Sequence, residues 1–216
     1  MERKFKGIIF DIDGTLTSTN QLIFATFNHI AQKYENKTYS DEEIIAMFGP
    51  PEDVILKEKY NGENFERVYH DYYKFYRDNH PRMADLYPGI VDILETLKSK
   101  KIITAIFTGK GRNTTQITLE VLGIMHYFDM IITGDDVIEH KPSPEGILRF
   151  LEKFKFEKKE VLMVGDSIAD ILAAREAGVE IASVVWDSYA KYQVIKMNPL
   201  HFEQVHSFRD WLEKYI

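Results

Sequence analysis

The sequence predicts an α/β protein in which a doubly wound parallel sheet is interrupted near its start by a block of helices. Three observations predict it. From Leu86 onward, short apolar runs of strand length alternate with stretches of helical periodicity. Between residues 18 and 85, four helical patterns follow one another with no strand among them. Finally, four of the apolar runs lead into polar clusters, placed where open parallel sheets bind ligands, beyond the carboxyl ends of the strands.

The first run, Gly7-Ile8-Ile9-Phe10, reads as a buried strand leading into the loop Asp11-Ile12-Asp13-Gly14-Thr15-Leu16-Thr17. Gln21 to Tyr34 has helical spacing, and Ser40-Asp41-Glu42-Glu43 is the capped start of a second helix expected to reach Phe48. Gly49-Pro50-Pro51 stops it, and Pro51 or Glu52 begins a third running towards Tyr60. After the turn signal Asn61-Gly62, a fourth helix is expected from Glu63 to about Asn79. Its stripe of Phe65, Val68, Tyr69, Tyr72, Tyr73 and Tyr76 reads as a packing face rather than a platform for bases.

Helix Ile90 to Ser99 then leads to strand Ile102 to Phe107, and helix Asn113 to Leu122 to strand Met130 to Thr133. Helix Pro144 to Phe154, strand Val161 to Val164, helix Ile168 to Ala177 and strand Ile181 to Trp186 continue the alternation. The tail reads as a short helix from Ser188 to Lys196, an edge strand from Phe202 to Val205, and a last helix capped at Ser207. The expected domains are a Rossmann-like core, residues 1–17 and 86–216, and a helical insert, residues 18–85.

Composition narrows the function. At 216 residues with 44% hydrophobic content, the chain can bury one large core and a smaller second one. A net charge of -7 argues against a general nucleic-acid surface, and the absence of cysteine excludes disulfides, thiol nucleophiles and thiolate metal sites. The apolar run near the N-terminus is shorter than a signal-peptide core or a membrane helix, so the expected location is the cytoplasm, with no membrane partner. The seven histidines lack zinc-site spacing.

The chemistry starts at Asp11 and Asp13. Alternate residues of an extended segment point the same way, so both carboxylates are expected in one crevice, and two like charges that close call for a divalent cation, with Mg²⁺ the expected ion. Thr108-Gly109-Lys110 follows the second strand, where a hydroxyl and free N–H groups suit a phosphate oxygen. Lys141-Pro142-Ser143-Pro144 follows the third, and Gly165-Asp166-Ser167-Ile168-Ala169-Asp170 the fourth.

Taken in order, these four strings resemble the four motifs of the haloacid dehalogenase-like phosphohydrolase superfamily, and the position of the helical insert resembles that family's C1-type cap. The resemblance implies that Asp11 is a nucleophile forming an aspartyl-phosphate and Asp13 the acid and base, with Thr15 orienting Asp13. It implies a metal site of Asp11, the Asp13 backbone carbonyl, Asp166 and Asp170, the last as ligand or supporting partner. It assigns phosphate binding to Gly14, Thr15, Thr108, Gly109, Lys110 and Lys141, and catalytic parts to Thr108 and Lys141.

Within the superfamily, Asp13 points away from dehalogenation and towards phosphoryl transfer, and the cap resembles that of phosphoglycolate phosphatases and pyrophosphatases. The expected substrate is a small phosphorylated metabolite. Ser18 departs from the acidic residue many phosphoglycolate-phosphatase relatives carry there. Phe48-Gly49-Pro50-Pro51-Glu52 resembles their substrate-specificity loop and equally reads as a plain turn. The alternatives are pyrophosphate as substrate, a β-phosphoglucomutase-like mutase, disfavoured because the cap loop has no basic residue before Lys57, and a non-catalytic binding module.

Overall fold

The computed structural model describes residues 4–62 and 65–216. The strands are β1 (Gly7–Phe10), β2 (Ile103–Phe107), β3 (Met130–Ile132), β4 (Val161–Gly165), β5 (Glu180–Val184) and β6 (His201–Phe202). They form one parallel sheet in the order β3-β2-β1-β4-β5-β6, with Gly7 in register with Ile103 on one side and Val161 on the other. The chain winds outward from β1 in both directions, which puts the switch in strand order, and hence the crevice, between β1 and β4.

The strands read as unbroken apolar runs because both sheet faces are covered. Ile8, Phe10, Ile106, Leu162 and Val164 pack on one face against α5 (Ile90–Ser99) and α10 (Val205–Leu212). Ile9, Ala105, Phe107 and Met163 pack on the other against α7 (Glu145–Phe154) and α8 (Ile168–Ala177). Helix α6 (Arg112–Val121) follows β2, and α9 (Lys191–Met197) precedes β6.

Helices α1 (Asn20–Glu35), α2 (Asp41–Ile45), α3 (Glu52–Lys59) and α4 (Phe65–Met83) build a separate apolar cluster of Leu22, Phe27, Ile30, Ile44, Leu56, Val68, Tyr72 and Tyr76, joined by Ile117 of α6. Val68, Tyr72 and Tyr76 lie one turn apart and are fully buried, so the aromatic stripe is packing surface. The segments leaving and re-entering the core are laced together: Ser18 N–H donates to Asp85 C=O at 2.8 Å, and Thr17 forms a bridge with Leu86. No helix among the described residues is long and apolar enough to cross a membrane.

Some element boundaries differ from the sequence expectation. Helix α2 stops at Ile45 rather than Phe48, because Met47 and Phe48 bond back three residues, tightening the chain before Gly49 turns it at φ +137°. The expected start of α4 at Glu63 lies outside the described residues; its far end runs through Pro81 to Met83, since the burial of His80 against α6 holds the last turn. Helix α10 begins at Val205, leaving Ser207 in its first turn instead of at its cap, so that Phe208 and Leu212 both reach the core. The edge strand β6 has shrunk to His201–Phe202.

Candidate active site

The first loop is fixed by its neighbours. Asp11 N–H donates to Val164 C=O at 2.9 Å, which extends the β1–β4 ladder by one residue and sets the Asp11 side chain at the strand end. The N–H groups of Thr15, Leu16 and Thr17 all converge on Ile12 C=O, and Gly14 makes the turn at φ +78°. A Cβ on Gly14 would lie 2.6 Å from Asp166 Oδ2, so this position needs glycine for both its dihedral angle and its closeness to the fourth strand end.

Asp11, Asp13, Thr108, Gly109, Lys110, Lys141 and Asp166 come together as one wall of a cavity of about 390 Å³ between the sheet and the helical cluster. Asp170 is fully buried behind this wall, and Gly14 and Thr15 support it from the first loop. Lys141 Nζ lies 3.1 Å from Asp11 Oδ1, and donates to Asp170 Oδ1 at 2.7 Å and to Phe107 C=O at 3.2 Å. Burial alone would lower its pKa, yet Asp11 and Asp170 hold it above the ordinary lysine value. Lys110, with its side chain only 2% exposed, reaches both Asp13 oxygens at 3.2 Å and lies over the Tyr76 ring.

Two hydroxyls depart from the expected pattern. Thr15 donates to Asp166 Oδ1 at 3.1 Å and not to Asp13. Asp13 Oδ1 instead accepts from Thr19, which contacts Thr17 in turn. The exchange follows from the turn at Gly14, which swings Thr15 towards β4 and leaves Thr19, at the foot of α1, facing Asp13.

Asp11, Asp166 and Asp170 are all buried, and each offers an oxygen within 4.8 Å of the others. Burial pushes the Asp11 carboxyl up to about 6; Lys141 opposes this, while Asp170 and Asp13 add to it. Asp166 is raised well above the usual range by burial and then by Asp11 and Asp170. Asp11 Oδ1 accepts no directed hydrogen bond, its contact with Lys141 being ionic only. Three buried carboxylates against one ammonium are short of positive charge, and an all-oxygen donor set of this kind fits a hard divalent cation. Asp170 also serves as the capping-box partner of Ser167 at the start of α8, which fixes its orientation.

Several contacts of the site escaped the sequence reading. Glu52, the first residue of α3, is buried; it accepts from Gly111 N–H at 2.6 Å and from the Thr114 hydroxyl, tying the helical cluster to the loop after β2. Burial raises its pKa, with Lys110 and Thr114 opposing. Asp187, in the loop after β5, accepts from Asn20 at 3.2 Å and from the Tyr87 hydroxyl, and Ser188 donates to Asp166 C=O at 2.6 Å. Tyr189 lines the cavity beside them. Glu52 was visible in the sequence as the end of the Phe48-Gly49-Pro50-Pro51-Glu52 string, read as a specificity loop or a plain turn; its tie to the loop after β2 was not.

A parallel α/β core with a buried carboxylate cluster, two buried lysines and a helical cover at the strand ends places the chain among α/β folds that carry a charged crevice beyond the carboxyl ends of a parallel sheet. The chain belongs to the haloacid dehalogenase-like hydrolase family, whose family model matches residues 8–184. It is 36% identical over 181 residues to pyrophosphatase PpaX of Oceanobacillus iheyensis, covering 84% of each chain. It is 32% identical over 188 residues to pyrophosphatase PpaX of Bacillus velezensis, covering 86% of this chain and 85% of the other. Among solved structures it resembles a predicted phosphoglycolate phosphatase from Haemophilus somnus, with a TM-score of 0.81 and 25% identity over the whole of both chains. A hydrolase from Pseudomonas syringae matches with a TM-score of 0.78 and 27% identity, over 97% of this chain and 98% of the other.

Proposed function

We propose that this protein is a Mg²⁺-dependent phosphatase that hydrolyses a small phosphate monoester through an aspartyl-phosphate on Asp11. The observation that carries the reading is the Asp11 carboxylate itself: buried at the end of the central strand, facing the cavity, with Lys141 3.1 Å away and two further carboxylates beside it. Asp11, Asp166 and the Asp13 backbone carbonyl would hold the metal, with Asp170 supporting Lys141. When bound, Mg²⁺ supplies charge neutralisation for the carboxylates and the phosphoryl group.

In the first half-reaction an Asp11 oxygen attacks phosphorus, the bond from phosphorus to the ester oxygen breaks, and Asp13 gives its proton to that departing oxygen. In the second, Asp13 takes a proton from water, the water oxygen attacks phosphorus, and the bond to Asp11 breaks to release inorganic phosphate and the free carboxylate. Lys141 offsets charge on the nucleophile and on the phosphoryl oxygens. Thr19 and Lys110 hold the Asp13 carboxyl in position, and Thr108, Gly109 and Lys110 offer donors on the same wall. The α1–α4 unit acts as a cap, hinged at residues 18–20 and 82–86, which excludes bulk water when closed.

The test is phosphate release with and without Mg²⁺ from a panel of phosphate monoesters, with Asp11→Asn as control. Metal-dependent release that vanishes in the variant supports the reading. Release that survives in Asp11→Asn removes the nucleophile assignment.

A further inference from the structure

The catalytic wall of the cavity is polar, whereas the cap side is mostly apolar. Ile23, Phe27, Ile45, Phe48 and Ile55 of the helical cap dominate it, beside Asn20, Gly49 and Pro50; Glu52 is the one charged side chain the cap adds to the lining, with its oxygens turned to Gly111 N–H and Thr114. Phe24 stacks on Phe48 at 6.3 Å between ring centroids and meets Tyr189 at 5.7 Å, so one aromatic group joins the cap loop to the loop after β5. Phe48 and Tyr189 remain 42% and 48% exposed although both line the cavity, which puts them at its opening.

The charges point the same way. The lining includes two cations, Lys110 and Lys141, and both are committed: Lys110 to Asp13, and Lys141 to Asp11 and Asp170. Neither is on the cap side. Against them the lining carries the carboxylates of Asp11, Asp13, Asp166 and Glu52. A cation held by Asp11 and Asp166, together with Lys141, suits one phosphoryl group. A second anionic group on the substrate would meet mostly isoleucine and phenylalanine side chains on the cap side, with no cation of the lining there to pair with, which is unfavourable.

Resting on the phosphatase reading above, we propose that the substrate is a phosphate monoester whose organic part is uncharged and largely apolar, aliphatic or aromatic, held by Ile23, Phe27, Ile45, Phe48 and Ile55. The inference departs from pyrophosphate and from phosphoglycolate, each of which carries a second anion to the cap side. It makes the five cap side chains specificity determinants.

The test uses the full chain with Mg²⁺ and a series of n-alkyl phosphates from methyl to hexyl, whose leaving groups differ little in basicity, beside pyrophosphate and phosphoglycolate. Complete burial of a methylene is equivalent to about a fourfold gain. Realising half of that free energy per methylene still raises kcat/KM more than tenfold, roughly, from ethyl to hexyl phosphate. Hexyl phosphate is then expected to exceed both pyrophosphate and phosphoglycolate. Phe48→Arg, a change at an exposed loop position that spares the core, should reduce the ratio of hexyl phosphate to pyrophosphate turnover by about tenfold, the scale of one ion-pair-sized gain of about 1.4 kcal/mol. A flat or falling alkyl series, with pyrophosphate or phosphoglycolate ahead, overturns the inference and leaves the phosphatase reading standing. A ratio unchanged in Phe48→Arg removes the cap wall as its cause. No phosphate release from any compound overturns the phosphatase reading and this inference with it.

Discussion

Replacing Asp11 by Asn should stabilise the metal-free protein at neutral pH while abolishing turnover. Asp11 is buried beside Asp166 and Asp170, and its carboxyl is pushed from 3.8 up to about 6. A raised carboxylate pKa means that the folded state binds the proton more tightly than the unfolded chain. The corresponding stability is fully present below about pH 4 and is lost as pH rises through about 6. At about 1.4 kcal/mol for each tenfold change in proton affinity, ionising Asp11 costs the fold about 3 kcal/mol at neutral pH. Asn has the same shape and no charge to ionise. In a chain of this size 1 kcal/mol moves Tm by about 2–4 °C, so without metal at pH 7.5 the variant should melt about 6–12 °C above the parent. The advantage should shrink towards zero near pH 4, and Mg²⁺ should raise the parent's Tm more than the variant's. Thermal melts across pH, with and without chelator, read all three. A variant equally or less stable than the parent at pH 7.5 without metal, or a difference independent of pH, would refute the charge argument.

Three further outcomes follow from the geometry. Asp13→Asn keeps the shape of the side chain but removes proton transfer, so kcat should fall by about 10²–10⁴-fold, read by phosphate release at saturating substrate. Glu52→Ala leaves Gly111 N–H without its buried acceptor and the Thr114 hydroxyl with Gly111 C=O alone, and cuts one tie between cap and core; denaturant unfolding should show a loss of about 1–3 kcal/mol, and hydrogen exchange should speed up in the cap helices and at the start of α6. Gly165→Ala drives a methyl group into the Asp170 carboxyl, which cannot retreat because Ser167 and Lys141 hold it; a loss of about 1–3 kcal/mol is expected in denaturant unfolding, with weaker metal binding by calorimetry.

The sheet was legible because parallel strands buried on both faces leave unbroken apolar runs, such as Ile8-Ile9-Phe10 and Val161 to Val164, that turn signals bound clearly. The ends of α2, α4 and α10 were less so, since each is set by what it packs against: Phe208 and Leu212 pull α10 on to the sheet whatever Ser207 prefers locally. The acidic residues and Lys141 were legible because each follows a strand and the sheet gathers strand ends. What joins them was not. The resemblance puts Thr15 beside Asp13, but the turn at Gly14 sends it to Asp166 and gives Thr19 to Asp13. Lys110 was read as a phosphate donor, whereas its ammonium rests on Asp13, 97 residues away in sequence. Glu52 and Tyr189 meet the site only through the placement of the cap and of the loop after β5, and no local pattern marks such contacts.

The central claim is that phosphorus passes through a covalent bond to Asp11. The most direct measurement is an acid quench of the enzyme during turnover of a radiolabelled phosphate monoester with Mg²⁺, followed by borohydride reduction and peptide mapping. The account predicts label on protein within one turnover, conversion of residue 11 to homoserine, and neither event in Asp11→Asn or without metal. Turnover with no trapped label at any time, or a label that maps to another residue, would contradict it.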